Sequence, residues 1–231
     1  MYRKQSGTRD STMNDRGWRH ELAMLTYIRD HTAYPIGNVS LLHLPDNDVA
    51  IVFDWLGADW KELSIFAEEL DANELADLTA ELFSAVALLH SAEVYHRDIK
   101  PENILFNRVV GKARLIDFGL ACRARNNLVG CSSDEWLGTA DYIPPRLLRQ
   151  GVQHDTETAS LQDRWGAAAT MYYIVVGVEI YGAMDVDPYT EAEKVSGSIL
   201  HKALAHRRWV AWRGQAPGPA RVVEDVLWEG I

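Results

Sequence analysis

Across residues 18–28 the apolar side chains Leu22, Leu25 and Ile28, with Met24, recur at helical spacing before the polar Arg29-Asp30-His31 stretch. This pattern predicts an amphipathic helix. Residues 39–44 and 49–55 are short β-rich runs on either side of Pro45-Asp46-Asn47-Asp48, which predicts an antiparallel hairpin closed by a turn. After Gly57 the period lengthens, and Leu75, Leu78, Leu82, Val86 and Leu89 share one face of a helix over 73–90. Asp71, with Glu74 three residues on, is the Asp form of a capping box that would start it. Residues 104–106 and 113–116 predict two strands flanking a turn at Gly111, and loop chemistry follows to about Tyr142. Helices are expected over 144–149, 160–178, 190–205 and 220–228. No repeat or low-complexity tract interrupts this order. The pattern describes an α+β chain, a small and partly β front followed by a mainly helical body.

Composition changes that picture little. With 231 residues and 47% hydrophobic content, the chain is long enough to bury one sizeable core. A formal net charge of −10, with Lys and Arg scattered, speaks against a phosphate-tracking nucleic-acid surface. Residues 1–15 are polar and mixed in charge, unlike a secretory signal, so an intracellular protein, cytoplasmic or nuclear, is expected. The apolar stretch 165–184 is interrupted by Gly177 and Glu179 and crowded by Asp163, Arg164 and Asp185, so it reads as a buried core helix and not a membrane span. Two cysteines, Cys122 and Cys131, fit a reduced compartment and read as a plain loop pair, with no disulfide framework and no four-ligand zinc set.

The chemistry is concentrated in Tyr95-His96-Arg97-Asp98-Ile99-Lys100-Pro101-Glu102-Asn103 and in Asp117-Phe118-Gly119 beyond the short hairpin. The first segment resembles the protein-kinase catalytic loop and the second that family's metal-binding segment, in the family's order and spacing. The resemblance implies a protein-kinase-like α+β fold, with residues 1–56 as an incomplete, β-containing N-lobe and 57–231 as a mainly α-helical C-lobe lacking its last helix. It also implies ATP and Mg²⁺ as cofactors and a protein as substrate, with no nucleic acid or membrane partner. Phosphoryl transfer is mostly positioning and charge neutralisation, so each residue type has a reason. Asp117 and Asn103 would supply hard oxygen ligands to Mg²⁺. Asp98 would take the hydroxyl proton, and Lys100 would offset charge on the moving phosphoryl group. Lys100 in this loop points, by resemblance, to the serine/threonine class.

Other segments extend the resemblance. Gly138-Thr139-Ala140-Asp141-Tyr142-Ile143-Pro144-Pro145-Arg146 looks like the substrate-positioning segment, and Asp163-Arg164-Trp165-Gly166 like the start of the large lobe's central helix. Asp163 is then expected to accept hydrogen bonds from the amides around His96 and Arg97, the competing reading being an exposed helix cap. Val52-Phe53-Asp54-Trp55-Leu56 resembles the strand and hinge on which adenine stacks. Main-chain groups of Asp54 and Leu56 would meet the adenine edge, Phe53 would stand behind it and Leu105 would form the floor. Glu21 stands where the family's helix glutamate pairs with a strand lysine; otherwise it is a solvated helical glutamate.

Departures from the pattern are equally specific. No G-x-G-x-x-G segment precedes Glu21, so the front is expected to be truncated. Lys4, near the family interval before Glu21, is either the phosphate-anchoring lysine or an incidental charge on a frayed terminus. Arg146 replaces the glutamate of A-P-E, and Asp134 and Glu135, preceded by Ser132 and Ser133, stand where relatives carry a phosphorylated residue: Arg97 would pair with a phosphate there or with the carboxylates directly, the competing reading being an exposed acidic loop. The resemblance weakens after Tyr181. A serine/threonine kinase is the leading expectation. A pseudokinase or truncated kinase acting as a binding module is the alternative, and a small-molecule kinase of the aminoglycoside phosphotransferase type is disfavoured by Lys100 and by residues 138–145.

Overall fold

The computed structural model describes residues 11–43, 49–54, 56–124, 130–133, 136–149 and 151–231. Lys4, the expected turn at 45–48, the hinge residue Trp55 and the acidic pair Asp134 and Glu135 lie outside the described residues. The first element of the described residues is helix α1 (Ser11–His31), longer than its apolar repeat suggested. Among its described side chains Glu21, Met24, Leu25 and Ile28 are the buried ones, one stripe at three- and four-residue spacing. Strands β1 (Val39–His43) and β2 (Val49–Phe53) follow as an antiparallel pair in which Val39 faces Phe53 and His43 faces Val49. They touch α1, so the front is a helix against a hairpin.

A short strand, β3 (Trp60–Glu62), which the pattern did not signal, leads through a 3₁₀ turn at Leu63–Phe66 to helix α2 (Ala72–Ser91). The Asp71 side chain accepts from the amides of Asn73 and Glu74, and Glu74 accepts from the Asp71 amide, so the capping box is complete. All five apolar residues of the expected face are buried. Strands β4 (Val94–Tyr95), β5 (Ile104–Asn107), β6 (Lys112–Leu115) and β7 (Cys122–Arg123) come next; β3, β5 and β6 form one sheet, and β4 pairs with β7.

The body is helical: α3 (Pro145–Leu148), α4 (Thr156–Val176), α5 (Ile180–Met184), α6 (Gly197–Leu204), α7 (Arg207–Gln215) and α8 (Pro217–Glu229). α4 is buried on nearly every side and packs against α2, α7 and α8, as its all-round apolar sequence requires. Among the described residues no helix is long and apolar enough to cross a membrane. Two helical expectations need correction. The stretch 190–205 is not continuous, because only the 3₁₀ turn Ala192–Lys194 and α6 are helical, with Val195 and Ser196 extended between them. α7 and α5 were not foreseen; α7 buries only Trp209 and Trp212, too sparse a pattern to signal a helix.

The cysteine reading is also overturned. Cys122 and Cys131 form a disulfide, with Cα atoms 5.1 Å apart, within the separation such a bond spans. β7 places Cys122 opposite Tyr95, and the chain returns across it, a proximity that sequence spacing cannot reveal. The inference of a reduced compartment from cysteine usage loses its support.

Candidate functional site

The β5–β6 hairpin sets the site. Its ladder continues past β5, with the Ile116 amide donating to the Asn103 carbonyl at 2.9 Å. Asp117 therefore leaves the hairpin next to the residue that closes the 95–103 loop. Asp117 adopts the left-handed conformation, φ 62°, and its carboxylate accepts from the Gly119 amide at 3.3 Å. Such backbone strain in a non-glycine residue persists only where the surroundings hold it. Phe118 supplies part of that hold: it is buried between the His96 ring, at 4.8 Å, and the Tyr34 ring, at 6.2 Å. Tyr34 is itself fixed, since its hydroxyl receives the Leu115 amide at 2.6 Å.

Asp98 is the centre of the polar network. One carboxylate oxygen accepts from the Thr139 hydroxyl at 2.8 Å; the other accepts from the Asn103 side-chain amide at 2.8 Å and pairs with the Lys100 ammonium at 3.1 Å. Lys100 also donates to the Thr139 hydroxyl at 2.7 Å, and the Asn103 amide to the Asp98 carbonyl at 2.8 Å. The 95–103 loop and residue 139 are thus tied through one carboxylate. The Asp98 amide donates to His96 Nδ1 at 3.3 Å, which leaves Nε2 to carry the proton it donates to the Ile116 carbonyl at 2.9 Å.

Asp163 anchors the loop from beneath. It lies well inside α4 and is 1% exposed, which excludes the exposed-cap reading; the cap is Asp155. Its oxygens accept from the His96 amide at 2.7 Å and the Arg97 amide at 2.6 Å, and it pairs with His90 at 2.9 Å. Arg97 has φ 64° and its Nε donates to the Leu120 carbonyl at 2.8 Å; burial lowers its guanidinium pKa from the ordinary value. Gly166 makes this approach possible, because a Cβ there would meet the Ile99 carbonyl at 2.7 Å.

The remaining expected site residues lie on α1, β2, β5 and the stretch after β2. Glu21 is 7% exposed on α1, not a solvated surface glutamate. α1 is linked to the segment after Asp117 by His20, whose Nε2 meets the Ala121 carbonyl at 2.7 Å, and by the Arg123 guanidinium over the Tyr27 ring at 3.4 Å. Leu105 is half-buried in β5, and Phe53 and Leu56 are half-buried beside an exposed Asp54. The Asp54 amide donates to the Asn38 carbonyl at 3.3 Å, and its carboxylate accepts twice from Asn38, at 2.9 and 3.0 Å.

The donor set fits a hard divalent cation. Asp117 offers a carboxylate, and Asn103 commits both amide hydrogens to Asp98, so its Oδ1 is the atom left to ligate. A magnesium site normally draws only one or two protein oxygens and completes its shell with water and phosphate, so the lack of a group of three or more His, Cys, Asp or Glu ligands among the described residues does not count against it. ATP and magnesium would supply the phosphoryl group and its charge neutralisation. Sequence reasoning gave no role to Thr139, His90, His20 or Gln162. Thr139 alone had a signal, its place in the quoted 138–146 segment.

The departure at Arg146 has a structural counterpart. Arg164 on α4 holds Glu229 at the end of α8, donating at 2.9 Å through one of its nitrogens. Hydrogen bonding from Arg164, with the charges of Arg164 and Arg146, holds the Glu229 carboxyl below the usual range. Glu229, on α8, is thus the acidic partner of Arg164, and Arg146 adds its charge to that pair.

Comparison with known proteins gives one consistent family. The family model for the protein kinase domain matches residues 4–215. Citron rho-interacting kinase of Rattus norvegicus is 35% identical over 165 residues, 71% of this chain and 7% of that protein. The serine/threonine-protein kinase AtPK2/AtPK19 of Arabidopsis thaliana is 34% identical over 128 residues, 55% of this chain and 25% of that protein. Rho-associated protein kinase let-502 of Caenorhabditis briggsae is 41% identical over 100 residues, 43% of this chain and 8% of that protein. The chain therefore spans a quarter or less of the length of these relatives.

Proposed function

This chain belongs to the protein kinase domain family, and from that premise we propose that it transfers the γ-phosphoryl group of ATP, with Mg²⁺, to a serine or threonine hydroxyl of a protein. The observation that carries the reading is the Asp98 carboxylate, held by Thr139, Asn103 and Lys100 at once. A carboxylate with both oxygens oriented is placed to align an incoming hydroxyl and receive its proton. Lys100, beside it, supplies positive charge where negative charge develops. Asn103 and Asp117 would hold the metal, and the Asp54 carbonyl and Leu56 amide the adenine edge, over Leu105. Glu21, buried on α1, is the residue this reading assigns to orienting the phosphate-anchoring lysine. The preference for serine and threonine is supported by Lys100 and by the names of the relatives. A cytoplasmic or nuclear site belongs to the same reading, on the condition that the Cys122–Cys131 bond forms there.

The test is transfer to a mixed panel of serine, threonine and tyrosine peptides by wild type, Asp98→Asn and Asp117→Asn. Each variant is expected to lose about 10²–10⁴-fold in turnover. Nucleotide binding should weaken on chelation in wild type and lose that dependence in Asp117→Asn. Wild-type transfer no higher than the Asp117→Asn background would instead favour a binding module.

A further inference from the structure

We propose that Gln162 is a positioning residue that locks the 137–139 segment onto the catalytic loop; the inference rests on the kinase reading above. Gln162 lies on α4 directly before Asp163 and is 5% exposed. Its side-chain nitrogen donates to the Arg97 carbonyl at 2.6 Å and to the Leu137 carbonyl at 2.6 Å. Both partners are acceptors only, so the amide must present its NH₂ group to them. One side chain therefore spends both hydrogens joining two chain segments that are far apart in sequence.

Each bonded carbonyl has a consequence for Asp98. Arg97 is in the left-handed conformation, and the carbonyl that Gln162 grips belongs to the peptide joining Arg97 to Asp98. Asp163 takes the amides at 96 and 97 while Gln162 takes the carbonyl at 97, so adjacent residues of one helix fix that backbone from its donor and its acceptor sides. Leu137 lies two residues before Thr139, whose hydroxyl bonds the Asp98 carboxylate. Between them, Gly138 has φ 117°, and a Cβ there would meet the Arg97 carbonyl at 2.4 Å and the Gln162 nitrogen at 3.0 Å. The contact is thus close-packed around the amide. Gln162 holds both ends of the Asp98–Thr139 bond and touches neither.

An apolar or acidic side chain at 162 would leave two inward-facing carbonyls without their donor, and residues 137–139 would leave the loop to recover hydration. The test uses Gln162→Leu, which removes the donors, and Gln162→Glu, which keeps the shape but only accepts at neutral pH. Peptide kcat/KM is expected to fall about 10- to 100-fold, the scale of small misplacements near the reacting atoms, while the nucleotide Kd stays within about twofold. Thr139→Val supplies the discriminating cycle. If Gln162 acts through residue 139, the double variant loses little more than the worse single variant; losses that multiply overturn the proposal. Amide hydrogen exchange reads the same contact without turnover. Residues 138–140 should exchange about tenfold faster or more in both variants, with α2 core amides unchanged, and unchanged exchange at 138–140 overturns the proposal. Absence of wild-type transfer would defeat the kinase reading alone, and exchange would still decide whether Gln162 clamps the two segments.

Discussion

His154 shows how a single side chain acquires a pH response from its place in the fold. Its backbone bridges to Ser133, and the residue is 8% exposed. Burial, and secondarily the charge of Arg97, lowers its pKa from the ordinary 6.5, with Asp155 pulling weakly the other way. The folded state therefore resists a proton that the unfolded chain accepts. Stability contributed by the neutral ring is complete above about pH 6.5 and is lost as pH falls below it toward the folded-state pKa. Urea denaturation of wild type and His154→Gln at pH 7.5 and 5.5 should show the wild-type advantage shrinking at the lower pH. Parallel losses would mean that His154 does not titrate in this window. Nothing in the sequence marked His154, because its environment is assembled from residues distant in the chain. Asp163 was legible only through its resemblance motif, and its three partners depend on α2, α4 and the 95–103 loop meeting.

At the level of elements, legibility followed the strength of the periodic signal. α2 was readable because its apolar stripe is unbroken and its cap uses Asp71 and Glu74, a recognised chemistry. The start of α4 was placed several residues late, since its capping box is closed by Thr158 in place of a glutamate or glutamine. The disulfide was invisible for a different reason: it depends on β7 pairing with β4, a two-residue ladder. Its effect is open to measurement. Cys122 and Cys131 are 9 residues apart, so closing this loop should stabilise the fold by about 2–3 kcal/mol through the unfolded state. Both cysteines are buried with Tyr95 and Ala159, at the start of the 95–103 loop. Adding a dithiol reductant should lower the urea midpoint of wild type by the corresponding amount. The Cys122→Ser/Cys131→Ser variant should be insensitive to it. A wild-type midpoint that ignores the reductant would show that the bond does not contribute.

For the whole molecule, the instructive region is α8, which lies beyond the residues matched by the family model, 4–215. In the sequence this region kept only a helical character, with no residue of recognisable role. The structure makes it part of the core: α8 packs along α4, the helix that carries Gln162 and Asp163, and buries Ala220, Val223 and Leu227. Gly230 presses closer still, since a Cβ there would lie 2.1 Å from the Trp165 ring. Two forces could hold α8, apolar burial or the Arg164–Glu229 pair, and magnitudes separate them. Val223 and Leu227 are both 0% exposed, and truncating Leu227 to alanine should cost about 2–5 kcal/mol. Glu229 and Arg164 are 42% and 34% exposed at the side chain, where solvent screens the pair to about 0–1 kcal/mol. Leu227→Ala is therefore expected to lower the urea midpoint several times further than Glu229→Gln. Because α4 supports the 95–103 loop through Asp163, the proposed kinase reading also expects Leu227→Ala to reduce peptide transfer near its unfolding midpoint and Glu229→Gln to leave transfer close to wild type. Comparable losses from both variants would show that the Arg164–Glu229 pair holds α8 as strongly as the apolar seam does.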